Sequence, residues 1–587
     1  MAAALDSIIR GVSQNGNSGA EGAEKHLLRW LDQIETEGNI WRDAVDQNKW
    51  DQFLQRYHGT RWTDARVNPK FHANVIRPTI DRRNALLTEN KPNAKILPWR
   101  DGLQKTASIL EKLFDADWHA TGMAIGIEEM VQLASVMGSA GIDLAWNSAS
   151  RFGQGEVDPV VLDPRQVKFD PMIRKARLMD KASYVVIETV KNIWDLQRDY
   201  PSRGMLLKPD RSVSSIETPQ QTGANIIQQL NTSFQSRIKK LEEGPIPRKI
   251  VKEYWLRDPA MDKGKPKFPA GRTILRGGEV ILADRGNPYW DGQWPQEWFD
   301  GRPDINSPWG KSEVEALRYI ADAINRIGNM FVENSILGGN LLVITDADAI
   351  TNETRNKLTN AAALIIPKKF GRSIEYRPPP PMPPHMLQFV NFALRFVDYL
   401  LGLNDGQLEG RGRIEMRSGV QLEGLQNAAQ ILVKASARRL EAFMERLGQK
   451  WISRIFQFKT GSRLLYYLEG EEYKQLDYSY AQFQADFVEI LRKNGKPTDK
   501  SDSIQEMMKT AWQQFAFRVQ PFSSLAQNKI ARSQLLLQLA QTGRYPFSLV
   551  LKEMGFDNGK ELQTMAKTEA AEFGPMEPPK GGKGGKK

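Results

Sequence analysis

Residues 309–337 read WGKSEVEALRYIADAINRIGNMFVENSIL and carry the clearest helical pattern of the chain. Apolar side chains recur every three or four positions, which is the spacing of one face of an α-helix. Ser312 is a residue type that caps helices, and Glu313 and Glu315 follow in the first turn, where carboxylates are favourable. We predict a helix from Ser312 to Leu337 with a slightly negative balance, because it holds two arginines and four carboxylates.

A second long helix is predicted downstream, over residues 418–458. Leucine, alanine and aromatic residues recur there at helical spacing from Leu425 to Ile455. About forty residues at a rise of 1.5 Å each span about 60 Å, several times the length of an average helix. A rod of this length needs neighbours along its whole face, from the same subunit or from others.

Composition and charge exclude several classes of protein. The 587 residues include 81 Lys and Arg against 70 Asp and Glu, so the formal net charge of +11 suggests a polyanionic partner only weakly. The absence of cysteine excludes disulfides, thiolate metal sites and a thiol nucleophile, and fits a reducing cytoplasm. No two of the five histidines have metal-ligand spacing. Neither a membrane-spanning run nor a signal peptide is recognisable.

Strand signals and turns alternate over residues 248–300, where aromatic residues concentrate. Five of the fifteen tryptophans lie between positions 255 and 309. Two interpretations stay open with equal weight: the side chains fill the thin core of a small β-rich unit, or they anchor a protein partner. The candidate partner residues are Trp255, Tyr289, Trp290, Trp294 and Trp298.

A stiff proline run, PPPPMPP at 378–384, precedes an apolar helix that we predict over 385–403. A loop rich in glycine and charge follows at 404–419. Acidic and basic side chains are balanced in this loop, and its glycines would let it move.

Recognised catalytic motifs do not fit the sequence. Gly310-Lys311-Ser312 resembles the end of a phosphate-binding loop, but the position five residues earlier, which should be glycine, is Ile305. Motifs typical of serine hydrolases, zinc peptidases and dinucleotide-binding enzymes do not occur. We therefore predict no catalytic, metal-binding or cofactor-binding residue, although scattered carboxylates leave an acidic nuclease open.

The order of these segments resembles that of bacteriophage portal proteins, the head-to-tail connectors of short-tailed and related phages. The resemblance covers about residues 70–560 and rests on several motifs. NVIRPTIDRRNALLTENKP (74–92) is similar to an asparagine-led helix of the family, and VVLDPRQVKFDP (160–171) to a strand pair around an Asp-Pro turn. NPYWDGQWP (287–295) with the helix after it resembles the clip-to-stem passage, and GRGRIEMRSGVQLEGLQNAAQ (410–430) the start of the long helix.

The resemblance implies an α+β, predominantly helical portal-type subunit that forms a ring. The implied parts are a disordered N-terminus (1–20), a first wing part (21–222), a stem helix (223–246), a β-rich clip (247–308), a second stem helix (309–338), a second wing part (339–467) that includes a tunnel loop and helix (370–419) and the long helix (418–458), a helical crown (468–566) and a disordered basic tail (567–587).

The implied function is a ring of about twelve copies without catalysis, at one capsid vertex, for packaging and ejection of double-stranded DNA. Its partners would be other copies of the chain, DNA, the terminase large subunit, a head-completion or tail adaptor protein, and the major capsid and scaffold proteins, with no membrane. It would lie in the virion after assembly in the host bacterial cytoplasm. The aromatic set would belong to the clip. The implied channel residues are Arg395, Asp405, Glu409, Arg411, Arg413, Glu415 and Arg417, with hinge glycines Gly406, Gly410 and Gly412.

Three other classes stay open. Another virion structural protein, such as a tail adaptor, is one, although adaptors are normally much shorter. A DNA-processing nuclease with scattered acidic ligands is the second, and a host cytosolic helical scaffold is the third.

Overall fold

The fold is seen in a computed structural model of the chain. It describes residues 18–44, 47–59, 71–89, 92–210, 246–258, 260–262, 265–339, 342–345, 370–371, 374–377, 383–401, 431–461, 463–469, 472–493 and 508–520. The structure does not describe residues 1–17, the basic tail at 567–587 or the loop predicted at 404–419, and of the predicted stem helix at 223–246 it describes only residue 246. Residues 18–20, predicted to be disordered, instead begin a helix.

Helices and strands are mixed along the chain. The longer helices are α1 (Ser18–Ala44), α2 (Gln47–Tyr57), α3 (Ile76–Thr88), α4 (Gln104–Ala120), α5 (Met123–Met137), α6 (Ile193–Asp199), α7 (Glu313–Gly339), α8 (Pro384–Leu401), α9 (Ile431–Phe458) and α10 (Tyr480–Lys493). Short helical turns occupy Ser150–Gly153, Pro164–Gln166, Ala176–Lys181, Pro201–Gly204 and Trp512–Gln514.

The strands form antiparallel pairs. They are β1 (Ala94–Pro98), β2 (Ser139–Asn147), β3 (Glu156–Leu162), β4 (Val167–Phe169), β5 (Tyr184–Asn192), β6 (Arg248–Leu256), β7 (Arg272–Gly277), β8 (Val280–Gly286), β9 (Gln296–Asp300), β10 (Leu342–Thr345), β11 (Ile374–Arg377), β12 (Arg463–Glu469), β13 (Glu472–Tyr478) and β14 (Phe515–Val519), with a small pair at Met261–Asp262 and Lys265–Pro266.

Two sheets combine strands from distant parts of the chain. The larger has the order β8-β7-β6-β5-β4, and the smaller has the order β9-β2-β3. β5 and β6 pair over nine residues, from Tyr184 opposite Leu256 to Asn192 opposite Arg248. Residues 247–308 are thus β-rich as predicted, but they do not form a separate unit. Their strands hydrogen-bond to strands of the predicted first wing part, and long-range pairing of this kind leaves no local signal.

The long helix α9 packs through the middle of the largest hydrophobic core. Leu440, Phe443, Leu447 and Trp451 are buried there together with side chains from α4, α5 and β2. The strand β14 pairs with β1 and packs on α9. Side chains of α10 and β14 belong to the same core, so the predicted crown boundary at residue 468 does not coincide with a boundary in the packing.

The helix ends are close to the predicted ones. α7 begins at Glu313, and the Ser312 hydroxyl accepts a hydrogen bond from the Val314 amide at 3.1 Å, as a capping residue should. Of the helix predicted over 418–458, the structure describes the part from Ile431 onward. Among the helices that the structure describes, none has the length and apolar character needed to cross a membrane.

Candidate functional site

α7 and α8 pack against each other, and both carry several large apolar side chains that are exposed. The strand β10 follows the end of α7, and β11 precedes the start of α8. β10 and β11 pair antiparallel, from Leu342 opposite Arg377 to Thr345 opposite Ile374. This pairing brings the end of α7 and the beginning of α8 to the same end of the helix pair.

One face of α8 is an exposed aromatic stripe. Phe389, Phe392 and Phe396 follow each other at helical spacing. All three side chains are exposed, and Phe392 is the most exposed of them, at 61%. The ring centroids of Phe392 and Phe396 are 5.8 Å apart in a stacked arrangement. Val397 and Ala393 point the other way and are buried. Exposed apolar patches of this kind are typical of interaction surfaces.

The second half of α7 is exposed in the same way. In its first half, Val314, Leu317 and Ala321 are buried in the core, and Ile324 is buried as well. Beyond them Asn325 and Asn329 stay buried on one side of the helix, whereas large apolar side chains on its other sides are exposed to solvent. These are Met330, Phe331 and Ile336.

A buried ion pair fixes the first turn of α7. The guanidinium of Arg83, on α3, contacts the Glu313 carboxylate, and its second nitrogen donates to the Ser436 hydroxyl on α9 at 2.6 Å. Both charged side chains are almost fully buried. Arg302 lies 3.9 Å from the same carboxylate and donates to the Leu400 carbonyl at the end of α8. The contacts connect the helix pair to α3 and α9.

Two asparagines of α7 hold an extended segment of the main chain. Asn329 Oδ1 accepts from the Phe71 amide at 2.9 Å, and its Nδ2 donates to the Phe71 carbonyl at 2.7 Å. Asn325 makes the same two contacts to Ala73, at 2.7 and 3.3 Å. A side chain at Gly328 would collide with the Phe71 ring, since a Cβ there would lie 2.2 Å from it. Asn325 and Asn329, four residues apart on α7, thus bind residues 71–73 as an asparagine clasp.

The charge of α7 is more balanced on its surface than its composition suggests. Glu313 is buried against Arg83, and Asp322 pairs with Arg56 at 2.7 Å. Removing these two from the count leaves Glu315 and Glu333 against Arg318 and Arg326.

The structure describes one of the seven implied channel residues. Arg395 is exposed on α8. The other six, Asp405, Glu409, Arg411, Arg413, Glu415 and Arg417, lie outside the described residues, as do Gly406, Gly410 and Gly412.

The aromatic set of 248–300 is mostly core. Trp298 is fully buried against Phe169, with ring centroids 5.0 Å apart, and it leaves no room for a side chain at Gly141 across the strand pair. Trp255 and Tyr289 stack on each other at 6.1 Å. The burial of these three residues and of Trp294 favours the first of the two interpretations, because a covered side chain cannot contact a partner. Trp290, at 37%, is the exposed member.

Packing also explains the Gly-Lys-Ser triplet at 310–312. A Cβ at Gly310 would lie 2.3 Å from the Arg302 carbonyl oxygen and 2.5 Å from that of Gly138. Ser312 donates to the Val136 carbonyl at 2.5 Å while it caps α7. The triplet is thus a close contact followed by a helix cap.

One side of α9 is basic, a feature that was not predicted from the sequence. Arg446, Lys450 and Arg454 are spaced by four residues and lie on one side of the helix. Arg446 contacts Glu297 at 2.5 Å, and Lys450 contacts the same carboxylate at 2.8 Å. Arg454 contacts Asp291 at 2.5 Å and lies 3.6 Å from the centre of the Tyr289 ring. The sequence signal for this basic side was the spacing of the three residues by four positions, within a helix that was predicted to be packed along its length.

These contacts shift the pKa values of the acids around them. Burial alone would raise the pKa of Glu297, but Lys450 and Arg446 lower it below its ordinary value. Asp143, on β2, has its pKa raised to about 7 by burial and by the Glu253 carboxylate, although Arg454 and Lys450 act in the opposite direction. In the described residues, Asp143 Oδ1 is shielded from solvent and has no hydrogen-bond donor.

The charged groups do not converge into a metal site within the described part of the chain, where no cluster of three or more His, Asp or Glu side chains could hold an ion. One polar cavity in the same part, of about 370 Å³, lies between α1 and the five-stranded sheet. Its charged side chains form two pairs, Glu35 with Lys252 and Asp32 with Arg276.

Comparison with known proteins assigns the chain to a family. No curated protein matches it. The family model of the phage P22-like portal protein matches residues 37–287 and 311–579, which together are most of the chain. The chain therefore belongs to the P22-like portal protein family, whose members are the head-to-tail connectors of bacteriophage capsids.

Proposed function

We propose that the chain assembles into a ring of about twelve copies that conducts double-stranded DNA through one capsid vertex. The observation that supports this is the aromatic stripe of α8, defined by Phe389, Phe392 and Phe396. An isolated subunit would keep three phenylalanines in water at a hydrophobic cost of about 25 cal/mol for each Å² exposed. A neighbouring copy that presents its own helix pair would cover them.

We further propose that α7 and α8 are the two stem helices and that residues 340–383, between them, are the clip. In the portal family the clip lies between the stem helices. The pairing of β10 with β11 and the packing of α7 on α8 support this order. The implied clip at 247–308 is the weaker alternative, because its strands complete the sheets of the first wing part.

The ring would have the partners that the family implies. The clip would dock the terminase large subunit and later a head-completion or tail adaptor protein, and the wing would contact the capsid and scaffold proteins. The balanced charge on the surface of α7 favours passage of DNA over tight binding, since each neutralised phosphate would add affinity. ATP hydrolysis would belong to the terminase, and the ring itself would perform no catalysis. Assembly would take place in the host cytoplasm.

The experiment is negative-stain imaging and native mass measurement of the full chain and two variants. In the first variant, Phe389, Phe392 and Phe396 are changed to Ser. In the control, Gln388 and Asn391, exposed polar residues of the same helix, are changed to Ser. We expect rings of about twelve copies for the wild type and the control, with a channel wide enough for a duplex, and monomers for the first variant.

Rings from the first variant would contradict the role of the aromatic stripe. A wild-type chain that stays monomeric at high concentration would contradict the ring. Metal-dependent cleavage of DNA that is lost on a single carboxylate change would favour the nuclease alternative.

A further inference from the structure

The segment between β4 and β5 combines buried apolar residues with exposed basic ones. We call residues 171–183, PMIRKARLMDKAS, the basic loop. Ile173, Ala176 and Met179 recur every third position and are buried. This spacing matches the three residues per turn of the 3₁₀ helix at Ala176–Lys181. The basic loop is therefore held to the core along its length.

A buried carboxylate fastens both ends of the basic loop. Asp170 Oδ1 accepts from the Met172 amide at 2.9 Å, and Oδ2 accepts from the Ser183 amide at 2.8 Å. The Ala182 amide donates to the Met179 carbonyl at 2.9 Å. The loop consequently presents its outward side chains from a fixed backbone.

The outward side chains are basic, and the one acid of the loop is turned away from them. Asp180 lies 3.3 Å from the buried Lys450 ammonium, and its carbonyl accepts from Arg257. A second acid, Asp300, lies near Arg177 and has its pKa raised by burial. Within the described ranges, none of the four basic side chains of the loop is in a salt bridge. They are exposed and are Arg174, Lys175, Arg177 and Lys181.

We propose that the basic loop binds the phosphate backbone of duplex DNA, at a surface separate from the implied tunnel loop. Arginine and lysine side chains supply most phosphate contacts, and a rigid loop loses little entropy when it binds. The fully buried centre of a protein–protein interface is more apolar than the rest of the surface. The apolar side chains of the loop point inward instead, apart from Met172, which is 83% exposed. The surface therefore fits phosphates better than an acidic protein.

The test measures how DNA affinity depends on salt. Fluorescence anisotropy with a labelled duplex of about 30 base pairs gives the binding constant of the full chain at about 50 to 200 mM salt. Each neutralised phosphate contributes a slope of about −0.9 in a plot of log affinity against log salt. Changing the four basic residues of the loop to Gln should reduce the slope by about 3 to 4.

A matched control removes the same charge elsewhere. Lys25, Arg29, Lys208 and Arg285 are also two lysines and two arginines, and all are exposed. Their change to Gln should reduce the slope by less than about 1. The charge-preserving variant Arg174→Lys with Arg177→Lys should retain the wild-type slope. An unchanged thermal midpoint confirms that each variant is folded.

Three results would overturn the proposal. The loop variant could keep the wild-type slope, both four-residue variants could lose it equally, or the loop variant could lose binding to an acidic capsid or packaging protein and not to DNA. The proposal does not depend on the ring. Sedimentation velocity on the same samples reports assembly separately, so loss of the slope in intact rings and loss of the rings themselves are distinguishable.

Discussion

The region around Trp298 and the aromatic stripe of α8 contain the same type of side chain in opposite surroundings. Trp298 contacts Phe169 with ring centroids 5.0 Å apart, and Phe392 contacts Phe396 at 5.8 Å. Trp298 is fully buried, whereas Phe392 is 61% exposed. Aromatic content alone therefore does not distinguish a core from a surface. The first region completes its packing within the chain, and the second stays exposed to solvent.

Charged residues also differ between the surroundings of Trp298 and the surface of α7, the helix that packs on α8. Near Trp298, Lys450 and Glu297 form a buried pair at 2.8 Å, where the loss of one partner would leave a charge stranded in the core. On the surface of α7, the pair of Arg56 and Asp322 is partly exposed to solvent and contributes little. Buried ion pairs thus stabilise the packing around Trp298, whereas the surface charge of α7 is nearly balanced.

The largest expected effect is on the packing around Trp298, which is complete within the chain. Trp298→Ala should lower the free energy of unfolding by about 3–5 kcal/mol, because a large cavity replaces a fully buried ring. Urea unfolding of dilute protein measures the change. Trp290→Ala, at an exposed position of the same segment, is the control and should change it by less than about 1 kcal/mol.

Equal losses of unfolding free energy in Trp298→Ala and Trp290→Ala would contradict the distinction between a buried and an exposed tryptophan. Loss of terminase or adaptor docking from folded Trp298→Ala would restore the interface interpretation.

Local patterns of the sequence predicted the helices well and the sheets less well. The cap at Ser312 and the apolar spacing after it depend on neighbours within a few residues, so α7 began within one residue of its predicted start. The pairing of β5 with β6 joins strands separated by more than fifty residues, and hydrophobic alternation does not identify the partner of a strand.

The candidate site was predictable in part. Helical spacing identified α8 as apolar, but it could not separate the face of Ala393 and Val397, which is buried, from the face of the phenylalanines, which is not. Both faces carry apolar side chains at helical spacing, so this pattern does not show that the chain buries the first face and leaves the second exposed. The basic face of α9 was missed because charged residues are ordinarily expected on the surface.

The second-largest effect is expected from the hydrogen bonds between Asn329 and Phe71, which connect α7 to the segment before α3. Asn329→Ala should cost about 2 kcal/mol, because it removes both hydrogen bonds to Phe71 and leaves partly buried main-chain groups unpaired. Hydrogen exchange of the Phe71 amide should accelerate at the same time. Asn329→Asp keeps the acceptor and loses the donor, so it should lie between the wild type and the alanine variant. No change in exchange at Phe71 would contradict the clasp.

A smaller effect is expected from the pH dependence of Asp143. Its pKa of about 7 lies above the ordinary value of an unfolded chain, about 3.9, so the folded state holds the proton more tightly. Its contribution to stability is full below pH 4 and is lost as the pH rises to about 7. The groups that face this carboxyl are Glu253, Arg454, Lys450 and Gln296.

Asp143→Asn removes this titration. Relative to the wild type, the variant should gain about 1 kcal/mol or more between pH 5 and pH 8, as measured by urea midpoints. A difference between the two proteins that stays constant over this range would show that Asp143 does not titrate there.

The smallest effect on the subunit itself is expected at the aromatic stripe. Phe392→Ala should change the unfolding free energy of the dilute monomer by less than about 0.5 kcal/mol, because the ring is mostly exposed and alanine favours a helix. The concentration at which rings form should nevertheless rise, which sedimentation velocity measures. A loss of more than about 2 kcal/mol in the monomer would place Phe392 in a core of its own subunit. A small loss of unfolding free energy in the monomer, combined with weaker assembly, would instead support the difference between the two regions. Trp298 would then be a side chain that its own chain covers, and Phe392 one that a neighbouring copy covers.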